Sequence, residues 1–335
     1  MGTYLIATDE AGYGPKLGPL VIAGSMWFLP SIDGVNDDLS AAFDQLTQRI
    51  SLDGLTVQVD DSKRVYQPGK GLDSLECMVG AGVRYCGIET NDLMELIKEL
   101  SPRDYDSVAG VPWLSLAKRK STSGESDESQ ADLLNPFLRH VSNCIDRESE
   151  LMKRWFGDDL KLIRLGARVV PACKFNQVCE KGYNKSDLLS MLTLDLVADL
   201  IEGVPKEMPL SIFCDRHGGR RYYASVLQDR LSEGLVRVVR ESKEISVYEL
   251  SRDRSMRIQF AVKGDRFPPV AYSSLVAKYL RERLMERMNS YFSSRVRSPL
   301  KPTAGYPVDA ERFLQDIEEV RSSEKISDRD LIRER

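Results

Sequence analysis

The chain has 335 residues, of which 42% are hydrophobic and 29% charged, and a formal net charge of −4. That is enough chain to bury a large core with the composition of a soluble globular protein, and the acidic balance excludes indiscriminate nucleic-acid binding by the whole surface. Two histidines (His140 and His217) exclude an all-histidine metal site, and six scattered cysteines (77, 86, 144, 173, 179 and 214) build neither a zinc site nor a disulfide framework.

The first predicted element is a strand over residues 3–9, paired as a hairpin with a second over 19–29 (PLVIAGSMWFL). Between them lies ATDEAGYGPKLGP, in which Asp9 and Glu10 end an apolar run and Gly12, Gly14 and Gly18 follow at once. Carboxylates beside bare backbone suit a cation held against a phosphate, although a strand ending in a polar turn uses the same residue types. Residues 55–60 (LTVQVD) are expected to be a third strand leading into Asp61-Ser62-Lys63, and Leu93, Leu96, Ile97 and Leu100 have helical spacing. Residues 116–132 are polar, Ser-rich and without apolar periodicity, which predicts a flexible loop. A long amphipathic helix is expected between Leu133 and Phe156, with Leu134, Phe137, Val141 and Ile145 on one face.

Leu160 to Pro171 reads as a strand, and Ser186 as the cap of a helix running from Asp187 to about Ile201. Leu210 to Asp215, Ser246 to Leu250 and Arg257 to Val262 are strand candidates, Tyr272 to Phe292 is a helix, and the charged segment after Ala310 is expected to be helical and partly frayed. From Lys278 to Lys301 seven Lys or Arg face two Glu, a local balance of +5, and Arg216, Arg220 and Arg221 surround Gly218-Gly219. Each run is a solvated face or a phosphate-binding patch. No apolar run is long enough to cross a bilayer and no basic-then-apolar segment opens the chain, so a cytoplasmic location is expected.

Strands alternating with helices after an initial hairpin indicate an α/β domain with a mixed sheet. Three strand-like segments end in acid, at Asp9-Glu10, Asp215 and Asp265. Strand ends of such a sheet converge on one edge, and four carboxylates there repel one another unless cations lie between them. Oxygen ligands favour Mg2+ or Mn2+, and two such ions about 3.5–4 Å apart serve phosphodiester hydrolysis.

The ordered blocks resemble the type 2 ribonucleases H, the ribonuclease HII family. Asp9-Glu10-Ala11-Gly12-Tyr13-Gly14-Pro15 with Gly18-Pro19 is similar to the family's D-E-x-G-R-G-P-x-x-G-P block, and Asp61-Ser62-Lys63-Arg64 to its D-S-K-K segment. Lys263-Gly264-Asp265, then Ser273-Ser274-Leu275-Val276-Ala277-Lys278, and finally Gly305-Tyr306-Pro307 follow in family order.

The resemblance implies a ribonuclease H-like fold, with a mixed five-stranded central sheet flanked by helices; the interval between Asp61 and Asp215 is far longer than the family's, and most of the excess is assigned to a helical insertion at about 86–160. It sets a catalytic domain over 1–310 and a charged helical tail over 311–335. It implies hydrolysis of the RNA strand of an RNA–DNA hybrid duplex by a protein acting as a monomer, leaving 3′-hydroxyl and 5′-phosphate ends. Asp9, Glu10, Asp215 and Asp265 would be the catalytic, metal-binding carboxylates. Gly12, Tyr13 and Gly14 would meet the substrate near the ribose 2′-hydroxyl, which separates RNA from DNA. Lys63 and Lys278 are candidates for phosphate contact or ordinary solvated lysines; Tyr306 packs either on the sugar or in the core. Tyr13 stands where the family has Arg, Glu282 where it has Asp, and Arg216–Arg221 is more basic than its counterpart. A hybrid-binding protein that does not cut, and a metal-dependent nuclease for another substrate such as a DNA junction, are the alternative readings.

Overall fold

In the computed structural model residues 2–30, 39–66, 71–115, 141–231, 234–251 and 255–334 are described. β1 (Thr3–Ala11) and β2 (Leu20–Leu29) form the expected antiparallel hairpin, in register from Thr3 opposite Leu29 to Ala11 opposite Val21. A two-stranded side hairpin comes next, β3 (Ile50–Leu52) and β4 (Leu55–Val57). LTVQVD therefore does not enter the main sheet; its apolar residues are matched by the short Ile50–Leu52 strand just before it.

The main sheet continues with β5 (Lys161–Val170), β6 (Leu210–Asp215), β7 (Leu235–Glu241), β8 (Ile245–Ser251) and β9 (Ser255–Ala261), in the order β5-β2-β1-β6-β9-β8-β7. β6 runs parallel to β1 and β9 parallel to β6, whereas β5 and β8 pair antiparallel with their neighbours. The α/β class with a mixed sheet flanked by helices is as expected, but the sheet has seven strands rather than five. The added pair, β8 and β7, caps the outer edge of β9. β7 (LVRVVRE) has exposed or half-exposed side chains along its whole length, so it lacks the buried stripe by which a strand is recognised in sequence.

Alternation along the strands divides the interior in two. Leu5, Ala7 and Phe213 pack with Leu275, Val276 and Tyr279 of the long Pro268–Ser293 helix. Ile6, Ile212 and Cys214 pack on the other face with Leu189, Leu196 and Val197 of the Lys185–Ile201 helix. Asn184, not Ser186, caps that second helix, its side chain accepting from Asp187 N while Asp187 answers in a capping box. Ser186 lies inside the helix and donates to His217 O at 3.1 Å.

Between residues 86 and 160 lie helices Leu93–Leu100, Tyr105–Ala109, Pro112–Ser115 and Val141–Trp155. The expected apolar face of the last is corrected at Ile145, which is exposed, while Leu151 and Trp155 are buried. Leu134, Phe137 and the Ser-rich loop lie outside the described residues, as does the side chain of Val141. The segment after Ala310 is not frayed: Phe313, Leu314, Ile317, Val320 and Leu331 are buried, and Asn176 Nδ2 donates to the carbonyls of Arg329 and Ile332 at 2.8 Å. No helix among the described residues is long and apolar enough to cross a membrane.

Candidate metal centre at the strand ends

Thr8 lies opposite Cys214 in the parallel β1–β6 ladder, so Asp9 and Asp215 are the next residues of two neighbouring strands. They continue the face that carries Ala7 and Phe213. Glu10 reaches the same point from the following position: oxygens of Asp9, Glu10 and Asp215 all lie within 4.8 Å of one another. The strand-end acids thus converge across more than two hundred residues of sequence.

Their proximity marks their protonation. Burial first, then the Asp215 carboxylate, pushes the Asp9 carboxyl up to about 8, against hydrogen bonds from Ser274 and the Glu10 amide. Burial, then Asp9 and Asp215, raises Glu10 well above the ordinary glutamate value. Burial also raises Asp215, although Gly264 N donates to its Oδ1 at 2.7 Å. Three crowded oxygen donors that resist joint ionisation fit a hard divalent cation, whose charge removes the repulsion. Among the described residues the cluster has neither sulfur nor imidazole.

Asp265 is not part of this triad. It sits one tight turn beyond β9, where Lys263 adopts the left-handed conformation (φ 58°) and swings Gly264 N onto Asp215. Burial and then Asp61 raise its carboxyl, with Lys63 and Arg266 acting against them. Asp265 contributes to the elevated values of both Asp9 and Asp215.

Gly12 has φ +86°, and a Cβ there would stand 2.5 Å from Arg281 Nε and 2.7 Å from Pro19 O, so only glycine fits. Gly14 is exposed and ordinary in backbone, with the Tyr306 ring 3.9 Å from where its Cβ would be. Tyr306 is exposed beside it and is therefore not a core tyrosine. Gly305 O accepts from Lys16 N at 2.7 Å and fastens this segment to the glycine loop. Tyr13 packs against Gly218 with Lys185 Nζ 5.7 Å from its ring centroid, and burial, then the Glu10 carboxylate, raises its phenol.

Lys63 lies on the short Ser62–Val65 helix, capped by Asp61, and its charge favours ionisation of Asp215 and Asp265. Lys278 is instead paired with Glu282 at 2.8 Å and lies over the Tyr66 ring. Glu282 also accepts from Arg281 at 3.3 Å and from Tyr66 Oη at 3.3 Å.

Ser274, Tyr66 and Arg281 also contact these residues, with no expectation for them from the sequence. Ser274 stands one helical turn before Lys278, a spacing that could have marked it as facing the same site. The +5 run is neither a solvated face nor a phosphate patch as a whole, because Arg281, Arg283 and Arg287 are buried. His217 is interior as well: burial pushes its imidazole down to about 3, and Nδ1 lies 3.0 Å from Ser190 Oγ.

No family model and no curated protein matches the chain. Among solved structures it is similar to the RNase HII of the PCNA:RNase HII complex from Archaeoglobus fulgidus, with 14% identity and a TM-score of 0.40 over 99% of this chain and 94% of that one. It is likewise similar to ribonuclease H2 from Pyrococcus horikoshii, with 14% identity and a TM-score of 0.40 over 98% and 92%. Bst-RNase HIII in complex with Mn2+ gives 13% identity and a TM-score of 0.40 over 98% of this chain and 66% of that chain. At these values none of them defines a family for the chain.

Proposed function

We propose that the chain is a divergent type 2 ribonuclease H, a divalent-metal endonuclease that hydrolyses the RNA strand of an RNA–DNA hybrid. The observation that carries this is the convergence of Asp9, Glu10 and Asp215 within 4.8 Å at the ends of two parallel strands, directly before a loop whose Gly12 admits no side chain.

Asp9, Glu10 and Asp215 hold Mg2+ or Mn2+, with Asp265 completing the acidic set from the neighbouring turn. A bound divalent ion supplies an activated water and charge neutralisation at the phosphate. Ser274 and the Gly264 amide orient Asp9 and Asp215 by hydrogen bonding. The backbone from Gly12 to Gly14 offers its polar groups to a ribose 2′-hydroxyl, while the exposed Tyr306 ring packs on the adjoining sugar. Lys63 contacts a phosphate next to the acids. Tyr13, packed against Gly218, helps shape the loop that selects the substrate.

The test is cleavage of labelled RNA–DNA hybrid, double-stranded RNA and double-stranded DNA, each with Mg2+ or Mn2+. Cutting confined to the RNA of the hybrid, leaving 3′-hydroxyl and 5′-phosphate ends and abolished in Asp9→Asn, is expected. Equal cutting of all three duplexes, or of none, overturns the proposal.

A further inference from the structure

The β7–β8 hairpin, absent from a five-stranded sheet, is fastened to the acidic centre. Arg216, the residue after Asp215, is buried; its Nη1 donates to Lys243 O at 2.8 Å and its Nη2 to Ser242 O at 3.2 Å, both in the hairpin turn. Val262 N donates to Glu244 O at 2.8 Å, tying the turn to the segment that leads to Asp265. Ser246 Oγ donates to Arg221 O at 2.7 Å, which ties β8 to the loop after Asp215.

Three segments thus share the edge bearing Asp215 and Asp265, and their exposed charges are four cations against two acids. Arg221, Lys243, Lys263 and Arg266 are exposed, and Tyr222 is 70% exposed among them. Arg220 does not join them, because it pairs with Asp187. The exposed acids of the turn are Glu241, which accepts from Tyr248 Oη at 2.5 Å, and Glu244. Cations held by a hydrogen-bonded frame beside a carboxylate centre, with an aromatic ring between them, match a sugar–phosphate backbone.

We infer that the hairpin turn and the loop Arg216–Tyr223 form a cationic rim that grips the phosphate backbone of the nucleic-acid duplex beyond the acidic centre. The inference rests on the reading of this site as one that acts on nucleic acid. Arg221 and Lys243 neutralise phosphates, Tyr222 packs its ring on a sugar, and Arg216 positions the rim without touching substrate. Because backbone contacts carry no sequence information, the rim fixes register and adds affinity on any duplex of suitable shape.

The experiment measures binding of fluorescent RNA–DNA hybrid, double-stranded RNA and double-stranded DNA against salt concentration, with Asp9→Asn as the background to prevent cutting. Adding Arg221→Gln and Lys243→Gln is expected to reduce the slope of log affinity against log salt by about 1 to 2. Tyr222→Ala should weaken binding without altering the slope. The exposed pair Arg49→Gln and Lys153→Gln, outside the rim, should leave both unchanged; circular dichroism and melting establish that each variant is folded.

An unchanged slope in the rim variant, an equal loss in the control pair, or no duplex binding by the background protein overturns the inference. If the slope falls as expected while the wild-type chain in Mg2+ cuts none of the duplexes, the rim stands and the ribonuclease reading fails. If wild type cuts the hybrid and the slope does not move, the ribonuclease reading stands and the rim fails.

Discussion

Gly12 rests directly on Arg281: a Cβ at Gly12 would stand 2.5 Å from the arginine Nε and 2.7 Å from its Cδ. The glycine loop and the long helix beneath it are therefore packed backbone to side chain. Arg281 in turn donates to Ala304 O at 2.9 Å, so the same guanidinium supports the segment carrying Tyr306.

Gly12→Ala should accordingly destabilise the fold. The left-handed backbone alone costs about 1–2 kcal/mol in a residue with a Cβ, and displacement of Arg281 adds to it. A fall of several degrees in Tm by calorimetry is expected. Gly14→Ala, with no positive φ and only the Tyr306 ring in ordinary contact at 3.9 Å, should leave Tm unchanged.

The metal-free protein should lose stability as pH rises. The Asp9 carboxyl is raised to about 8 in the folded chain against an ordinary value near 3.8, so between these values the native state binds more protons than the unfolded one. Stability is therefore greatest near the lower value and declines through neutral pH toward 8. In EDTA, Tm should fall from pH 5 to pH 8, and Asp9→Asn should flatten that decline and melt higher than wild type at pH 8. Mg2+ should raise the wild-type Tm more at pH 8 than at pH 5.

Arg216→Met should cost about 1–3 kcal/mol in denaturant unfolding, since the carbonyls of Ser242 and Lys243 lose a charged donor. Hydrogen exchange should quicken at the amides of residues 242–246. Arg216→Lys should recover only part of this, because a single ammonium does not reproduce the fork that serves Ser242 and Lys243 together.

A second buried charge ties the helices between residues 86 and 160 to the sheet. Asp104 is fully buried and accepts from Arg168 Nε at 2.8 Å and from Val169 N at 3.2 Å, with Lys174 as a third partner. Burial alone would raise its carboxyl, but the hydrogen bonds and charge of Arg168 and then Lys174 hold it below the ordinary aspartate value. Its stabilisation is present above the unfolded value and disappears as pH falls through the folded one. Asp104→Asn should lower unfolding free energy by about 3–5 kcal/mol, because the buried Arg168 keeps only the more distant Asp195, at 3.7 Å, as an ionic partner, and should weaken the acid dependence below pH 4.

The parts of the site legible in sequence were those written as pattern. Apolar runs ending in acid located β1 and β6, and the strand-end rule then brought Asp9 and Asp215 together. Asp265 was legible as a strand-end acid, but its offset from the triad depends on the left-handed turn at Lys263, which no residue preference announces. Arg216 and Arg281 were misjudged because arginine is ordinarily a surface residue; only tertiary carbonyls at Ser242, Lys243 and Ala304 make their burial tolerable. The Asp73–Tyr85 helix went unassigned, its two glycines, Gly80 and Gly82, obscuring a segment that is buried almost throughout. The cap at Asn184 was displaced to Ser186 because both residue types cap helices, and the reciprocal bond with Asp187 decides between them.

The parallel register of β1 and β6 means that the separation of Asp9 from Asp215 is set by backbone pairing and not by the length of chain between them. Extra residues in any intervening loop leave the two carboxylates where they are. One extra residue within either strand would send its acid through the sheet to the opposite face. The centre is thus indifferent to growth around it and intolerant of a single added residue in the few that pair.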